Sequence, residues 1–486
     1  MENGKENYIK GHYENNDLPR NSIGAFRLVW QAMGTMSIAA DAAYLLTGVA
    51  LFALGATPLS ILLGIVFYVF IMNTGYQFSK YISSSGSYFS FTGNSLGGKM
   101  ATFQAWNMIF YGTLGYSGFG FLGLAAFITL INPSYSGLMF WLPIAIAAAL
   151  VAFIFTWFGI KVSTEYQIIG GLIEVIILVV GSLFIIINAG SSNSIYVFTT
   201  RFLPGGIPQI FYSMIYSVVL FFGSTLSITA LAEETREPGK AVGRALISTV
   251  VVAGSTLLLV SYAFTVGWGP SLMGSFAGQP DPGLMLFRKI SYILFGLLII
   301  FTVNSFMGYN VSVSNANSRI FYRFARDGIL FLPRSIGKVH TRYGSPHISA
   351  FFVFLLSLIP AIVFGLIYGP ETGGLVMLFA NAYSAYTEHI IASVGLPLFA
   401  RKRGEFRLFQ HLIFPAIAIG VLGAVIFFSL YPAPPPYPYD IAAFVGIGWI
   451  PLSGILTLVE WKIHPERVRI SGQHNMVAET EAQAVK

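Results

Sequence analysis

Runs of twenty or more residues with few or no charged side chains recur from residue 24 to residue 461. About 20 apolar residues, at about 1.5 Å each, cross the hydrocarbon core of a bilayer as a helix. Reading the runs gives twelve candidate spans, near 24–54, 57–79, 100–131, 139–160, 166–190, 206–232, 245–269, 286–318, 346–368, 371–399, 408–430 and 440–461. Lipid offers the backbone no hydrogen-bond partner, so only helices and closed barrels cross it. The runs are about twice as long as a barrel strand and lack strict alternation, so helices are expected. The chain reads as an all-α membrane protein of twelve transmembrane helices. Only 10% of the residues are charged, against about 25% in an average soluble domain. The mean hydropathy is +0.70, more apolar surface than a soluble chain of this length can bury.

The 27 Lys and Arg fix an orientation. With the N-terminus inside, only Arg201, Arg288 and Lys289 fall on the outer side. The positive-inside rule therefore predicts cytoplasmic N- and C-termini. The net charge of +7 is explained by this asymmetry, and nucleic acid is not an expected partner. Residues 1–22 form a polar cytoplasmic tail without a cleavable apolar core, so the first span should act as an uncleaved anchor. Residues 23–461 form the twelve-helix membrane domain, and 462–486 a second cytoplasmic tail, expected to be disordered from 465. The proline-rich stretch 431–439 is expected to be an extended outer loop.

With no cysteine, disulfides, iron–sulfur clusters and thiolate zinc sites are excluded. The seven His lack metal-binding spacing, and no cofactor is expected. No nucleophile-elbow, Walker or zinc motif is present, so the chain is not expected to be an enzyme or to be driven by ATP.

Organisation along the chain suggests two copies of one five-span unit in opposite orientation, about 23–190 and 206–400, followed by helices 11–12 at about 408–461. A Ser/Gly-rich inner segment, 83–98, follows span 2, and a Gly/Pro-rich outer segment, 270–287, follows span 7. Spans 1 and 6 contain the weak-helix stretches Gly34-Thr35-Met36-Ser37 and Gly223-Ser224-Thr225. Broken helices at matching positions free backbone groups near the bilayer midplane, where a substrate or ion can satisfy them. The glycines of span 3, from Gly112 to Gly123, are read as close helix packing.

Four stretches resemble the amino acid–polyamine–organocation family. The longest is Arg319-Ile-Phe-Tyr-Arg-Phe-Ala-Arg326-Asp327-Gly328, followed by Pro333, Val339, His340 and Pro346. Leu231-Ala-Glu233-Glu234-Thr-Arg-Glu-Pro238 with Arg244-Ala245 is similar to the segment closing span 6 of the family. Gly86-Ser87-Tyr88 with Leu96-Gly97 and Trp106, and Phe158-Gly159-Ile-Lys161-Val-Ser163, match two more family motifs. The resemblance implies a five-plus-five inverted-repeat transporter with broken helices 1 and 6, working by alternating access. It also implies a pocket between those helices, and coupling to H⁺ or Na⁺, or exchange. Glu233, Glu234, Arg319, Arg326 and Asp327 are then candidates for an inner gate closed by ion pairs.

The substrate candidates are Ser37, Ala39, Ala40 and Asp41 in span 1 and Phe222, Gly223, Ser224 and Thr225 in span 6. Many family members carry bare glycine amides for a substrate carboxylate where this chain has Ala39-Ala40-Asp41-Ala42-Ala43. An intramembrane carboxylate is a functional hypothesis by default, and Asp41 would favour an amine, a cation or a proton. Glu174 in span 5 is the candidate coupling group, with Asn304 and Ser305 of span 8 lining the same ion site. Glu388-His389 in span 10 is read as a structural pair. The leading expectation is a secondary transporter of amino acids or related amines in the cell membrane, H⁺-coupled. A carrier or exchanger of cationic amines or polyamines is the alternative. A non-transporting nutrient sensor is a weaker one, because it would need a soluble signalling domain.

Overall fold

The computed structural model describes residues 17–431 and 437–473. Expectations for 1–16, for the prolines within 432–436 and for 474–486 lie outside the described residues. The helices are α1 (Ala25–Met36), α2 (Leu46–Ala53), α3 (Thr57–Ser79), α4 (Tyr88–Leu96), α5 (Gly98–Gly115), α6 (Gly123–Ile131), α7 (Leu138–Trp157) and α8 (Ile160–Ala189). They continue as α9 (Gly206–Thr229), α10 (Pro238–Trp268), α11 (Pro282–Ile290), α12 (Tyr292–Asp327), α13 (His347–Tyr368), α14 (Pro370–Lys402), α15 (Phe414–Phe428), α16 (Asp440–Ile463) and α17 (Pro465–Ile470). Among the described residues no strand forms, and an isolated bridge joins Ile23 to Thr235. Nine helical stretches among the described residues are long and apolar enough to cross a membrane, the first of them, Ala25–Ser79, holding two of the runs read from the sequence.

Helix α8 shows why the surrounding solvent is lipid. Its inward face carries Gln167, Gly170, Glu174, Gly181 and Ser182, all buried. Its outward face carries Ile169, Leu172, Ile176, Leu183 and Ile187, all exposed. Polar groups inside and bare aliphatic groups outside reverse the pattern of a soluble helix.

Two motif glycines have backbone roles. Gly159, ahead of α8, has φ +93°, and Gly328, after α12, has φ +69°. Both lie in the left-handed region that side chains resist. The Gly328 amide donates to Ala325 O and the Ile329 amide to Phe324 O, a glycine-terminated helix end that turns the chain back after the Arg-Asp pair.

Helix α1 is interrupted, as the sequence suggests. Ser37 takes φ +52° and ψ +52°, a single turn spans Ile38–Ala40, and a π turn covers Asp41–Leu45 before α2. The expected break in span 6 is not present: α9 runs unbroken through Gly223-Ser224-Thr225. Hydroxyls there turn back on their own helix, Ser224 Oγ donating to Phe221 O and Thr229 Oγ1 to Thr225 O. The ladder therefore keeps its bonds, and the small residues serve packing instead. Span 3 does carry an irregularity that the sequence reading missed, a π turn at Tyr116–Leu122 between α5 and α6. Its glycines are contact points: Gly112 meets the Asn317 amide, Gly115 that of Asn381, and Gly118 the Gly374 carbonyl.

The tail also differs from expectation. Residues 465–470 form α17, with Val468 buried. The Gly472 amide donates to Asp327 Oδ2 (2.8 Å), and Gln473 O accepts from Arg323 (3.1 Å). Helix α12 thus holds the chain through the first nine residues of the stretch expected to be disordered.

Candidate functional site

The interruption in α1 is fastened to α12. Ser37 Oγ donates to Ser305 O (2.6 Å) and lies 3.2 Å from Ser305 Oγ. Ser305 Oγ in turn donates to Glu174 Oε2 (2.9 Å), and Asn304 Nδ2 donates to Glu174 Oε1 (2.7 Å). Asn304 Oδ1 accepts from Tyr166 Oη (2.8 Å). The Ala39 amide also faces the Glu174 carboxylate. Glu174, Asn304 and Ser305, read together from spans 5 and 8, form one cluster against the broken turn, with Glu174 and Ser305 buried and Asn304 half-buried. Nearby, Gln31 Nε2 donates to Ser312 O and Ser227 Oγ, and Asn315 Nδ2 donates to Gln31 Oε1 and Ser163 Oγ. These bonds tie α1, α8, α9 and α12 into one polar seam, where lipid could satisfy none of the groups.

A cavity opens on the other side of the break. Asp41, 2% exposed and with Oδ2 unpartnered, lines it. Apolar side chains form much of the wall: Met36, Leu45, Phe119, Leu220, Phe222, Leu226, Val313 and Leu378. The polar lining comes from Thr35, Tyr111, Tyr116, Tyr309, Asn317 and Asn381. Phe222 sits at one edge, with its ring against Tyr386 (5.2 Å) and His389 (4.6 Å).

The cavity sorts the substrate candidates. Asp41, Phe222 and Gly223 line it. Ser37 instead bonds α12, and Ala39 and Ala40 are buried beside it without lining the cavity. Ser224 and Thr225 face the other way: both hydroxyls meet Tyr68 Oη, at 2.8 Å and 2.6 Å. Tyr111, Tyr309, Asn317 and Asn381 went unread in the sequence. The signal available for Asn381 was an amide within a long span, and for the tyrosines none separates a cavity wall from core packing. Glu388 and His389 are not a pair. The His389 ring lies between Tyr88 and Phe222, and both Glu388 oxygens are buried without a partner.

The five residues expected at an inner gate converge. Arg319 and Glu234 are fully buried and doubly bonded, Nε to Oε2 at 2.5 Å and Nη2 to Oε1 at 3.2 Å. Arg323 Nε meets Asp327 Oδ1 (3.0 Å), and both Arg323 and Arg326 reach Glu233 at 3.8 Å. Glu233 Oε1 also accepts from the Ser85 amide (3.0 Å), and Arg326 pairs with Asp17 (3.2 Å). Removing one member of a buried pair such as Arg319–Glu234 costs about 3–5 kcal/mol, because it strands the other charge. The lattice joins the chain before α1, the α3–α4 turn, the end of α9 and the end of α12.

A bundle with aliphatic backs, polar seams and a buried cavity beside an interrupted helix defines a multi-pass membrane transporter. The profile of the amino acid permease family matches residues 27–469, and the chain belongs to that family. It is therefore a carrier of amino acids and not an enzyme. It is similar to the branched-chain amino acid permease BcaP of Bacillus subtilis (strain 168), with 24% identity over 437 residues, covering 85% of this chain and 87% of the relative.

Proposed function

We propose that this protein is a secondary active transporter that carries neutral, apolar amino acids across the cell membrane by alternating access. Its substrate would lie in the cavity beside the α1 interruption, and its coupling ion on the Glu174 cluster. The observation that carries the reading is the unpartnered Asp41 Oδ2 in an otherwise largely apolar and aromatic cavity. An α-ammonium group on Asp41 would supply the missing partner. Hydroxyls of Tyr111, Tyr116 and Tyr309 could donate to the substrate carboxylate, and the aliphatic and aromatic wall suits an apolar side chain. The name of the Bacillus relative points to branched-chain amino acids as the first substrates to try.

The proposed topology has twelve crossings with both termini cytoplasmic, and two inverted five-helix repeats. Its support is the Lys and Arg asymmetry and one parallel between the halves. A nine-residue helix, α4 or α11, precedes the third crossing of each half. With α9 unbroken, the two halves differ in how their first helices bend.

Thermal stabilisation of the purified protein tests the substrate reading, since a ligand bound only by the folded state must raise the melting temperature. Leucine, isoleucine and valine are expected to stabilise the wild type. Asp41→Asn should weaken their binding by about tenfold to a hundredfold, the equivalent of a charge-assisted hydrogen bond. Stabilisation by putrescine or other cationic amines alone would overturn the neutral-substrate reading and favour the amine-carrier alternative.

A further inference from the structure

Helices α5 and α14 meet along two polar stripes. Gln104, Asn107 and Tyr111 lie on one face of α5, and Asn381, Ser384 and Glu388 on one face of α14, each at helical spacing. The amide of Gln104 donates to Glu388 O (3.1 Å) and that of Asn107 to Ser384 O (2.8 Å). These bonds fix each amide with its nitrogen toward α14. Gln104 Oε1 and Asn107 Oδ1 remain buried with no donor. The Glu388 side chain, 0% exposed, is also buried without a donor at either oxygen. The seam therefore holds unpartnered oxygen acceptors on Gln104, Asn107 and Glu388, one of them a carboxyl group, a composition suited to a small hard cation. One carboxylate matches a single positive charge.

The groups around Glu388 bring no cation of their own. Tyr88 from α4 and Tyr111 from α5 lie within electrostatic reach of it. His389, next on α14, turns its ring between Tyr88 and Phe222. Helix α16 brings Glu460, already bound by Trp106 Nε1 and the Leu330 amide. Lys80, at the end of α3, donates to Gln77, and His411, ahead of α15, accepts from the Arg407 amide. Among the described residues no ion pair reaches Glu388. Tyr111 lines the cavity and lies within electrostatic reach of Glu388, so it stands between the two.

We propose that Glu388 is the anionic ligand of a monovalent-cation site in the α5–α14 seam, taking a proton or Na⁺, separate from the Glu174 cluster. The inference does not depend on Glu174 carrying the coupling ion. Occupancy would be felt in the cavity through Tyr111 and through the His389–Phe222 contact.

The test compares wild type, Glu388→Gln and Glu174→Gln as purified protein and in proteoliposomes. If the ion is Na⁺, about 0.1 M Na⁺ should raise the wild-type melting temperature above that in choline, and Glu388→Gln should abolish the rise while Glu174→Gln keeps it. If it is a proton, Na⁺ has no such effect. The pH profile of leucine uptake then contains a step that Glu388→Gln removes and Glu174→Gln retains. Gln104→Leu, which leaves every charge in place, should weaken the same response about tenfold and serves if Glu388→Gln does not fold. A Glu388→Gln protein with the wild-type Na⁺ response and pH profile would overturn the site. So would a response lost in Glu174→Gln alone, which would assign it to the other cluster.

Discussion

At the scale of single residues, two carboxylates flank the same broken turn and differ in their partners. Glu174 is held by Asn304 and Ser305, and Ser305 is bonded to Ser37 at the break. Asp41 keeps one oxygen free on the cavity. The first arrangement suits a group whose occupant controls how tightly the break is tied to α12. The second suits a group waiting for a ligand. Glu174→Gln preserves the shape and one of the two acceptor oxygens but removes the charge. It is expected to abolish accumulation of leucine against a gradient while leaving leucine–leucine exchange in place. Proteoliposome uptake with and without an imposed proton or Na⁺ gradient separates the two activities, and gradient-driven accumulation by the variant would show that Glu174 carries no coupling ion.

Among the elements, the interruption of α1 was legible because Gly34 to Ser37 are weak helix formers in a long apolar run. The same reasoning failed for α9, where Ser224 and Thr225 use their hydroxyls on α9 itself and on Tyr68, so weak propensity became tight packing. Sequence spacing could not tell these outcomes apart, because it does not say which helix will lie alongside. The ion-pair lattice was legible because its motif residues cluster at two helix ends, whereas the cavity tyrosines look like any buried aromatic. Asp281 precedes α11 with 8% exposure and an unpartnered Oδ1. Burial, with Glu371 nearby, pushes its carboxyl up to about 7. Its folded value lies above that of the unfolded chain, so the contact is most stable at low pH and weakens as pH rises from the ordinary carboxyl range through about 7. Asp281→Asn cannot ionise. Melting temperatures between about pH 5 and pH 8.5 should therefore fall in the wild type relative to the variant, and parallel curves would show that Asp281 does not limit stability there.

For the molecule as a whole, orientation decides which face carries the ion-pair lattice. The Arg319–Glu234 lattice and the α11 segment lie on opposite faces if the crossings alternate, and the Lys and Arg distribution assigns the lattice to the cytoplasm. That assignment rests on a count of charges and can be checked directly, because the chain has no cysteine to give background labelling. Ser335 follows α12 near the lattice, and Ser192 follows α8 on the proposed outer side; both are exposed. In intact cells a membrane-impermeant maleimide should label Ser192→Cys and leave Ser335→Cys unlabelled until the membrane is permeabilised. The reverse pattern would invert the topology and turn the ion-pair lattice into an outer gate. Labelling of both positions in intact cells would mean that the number of crossings between them is even, which would remove the alternation that puts the lattice and the α11 segment on opposite faces.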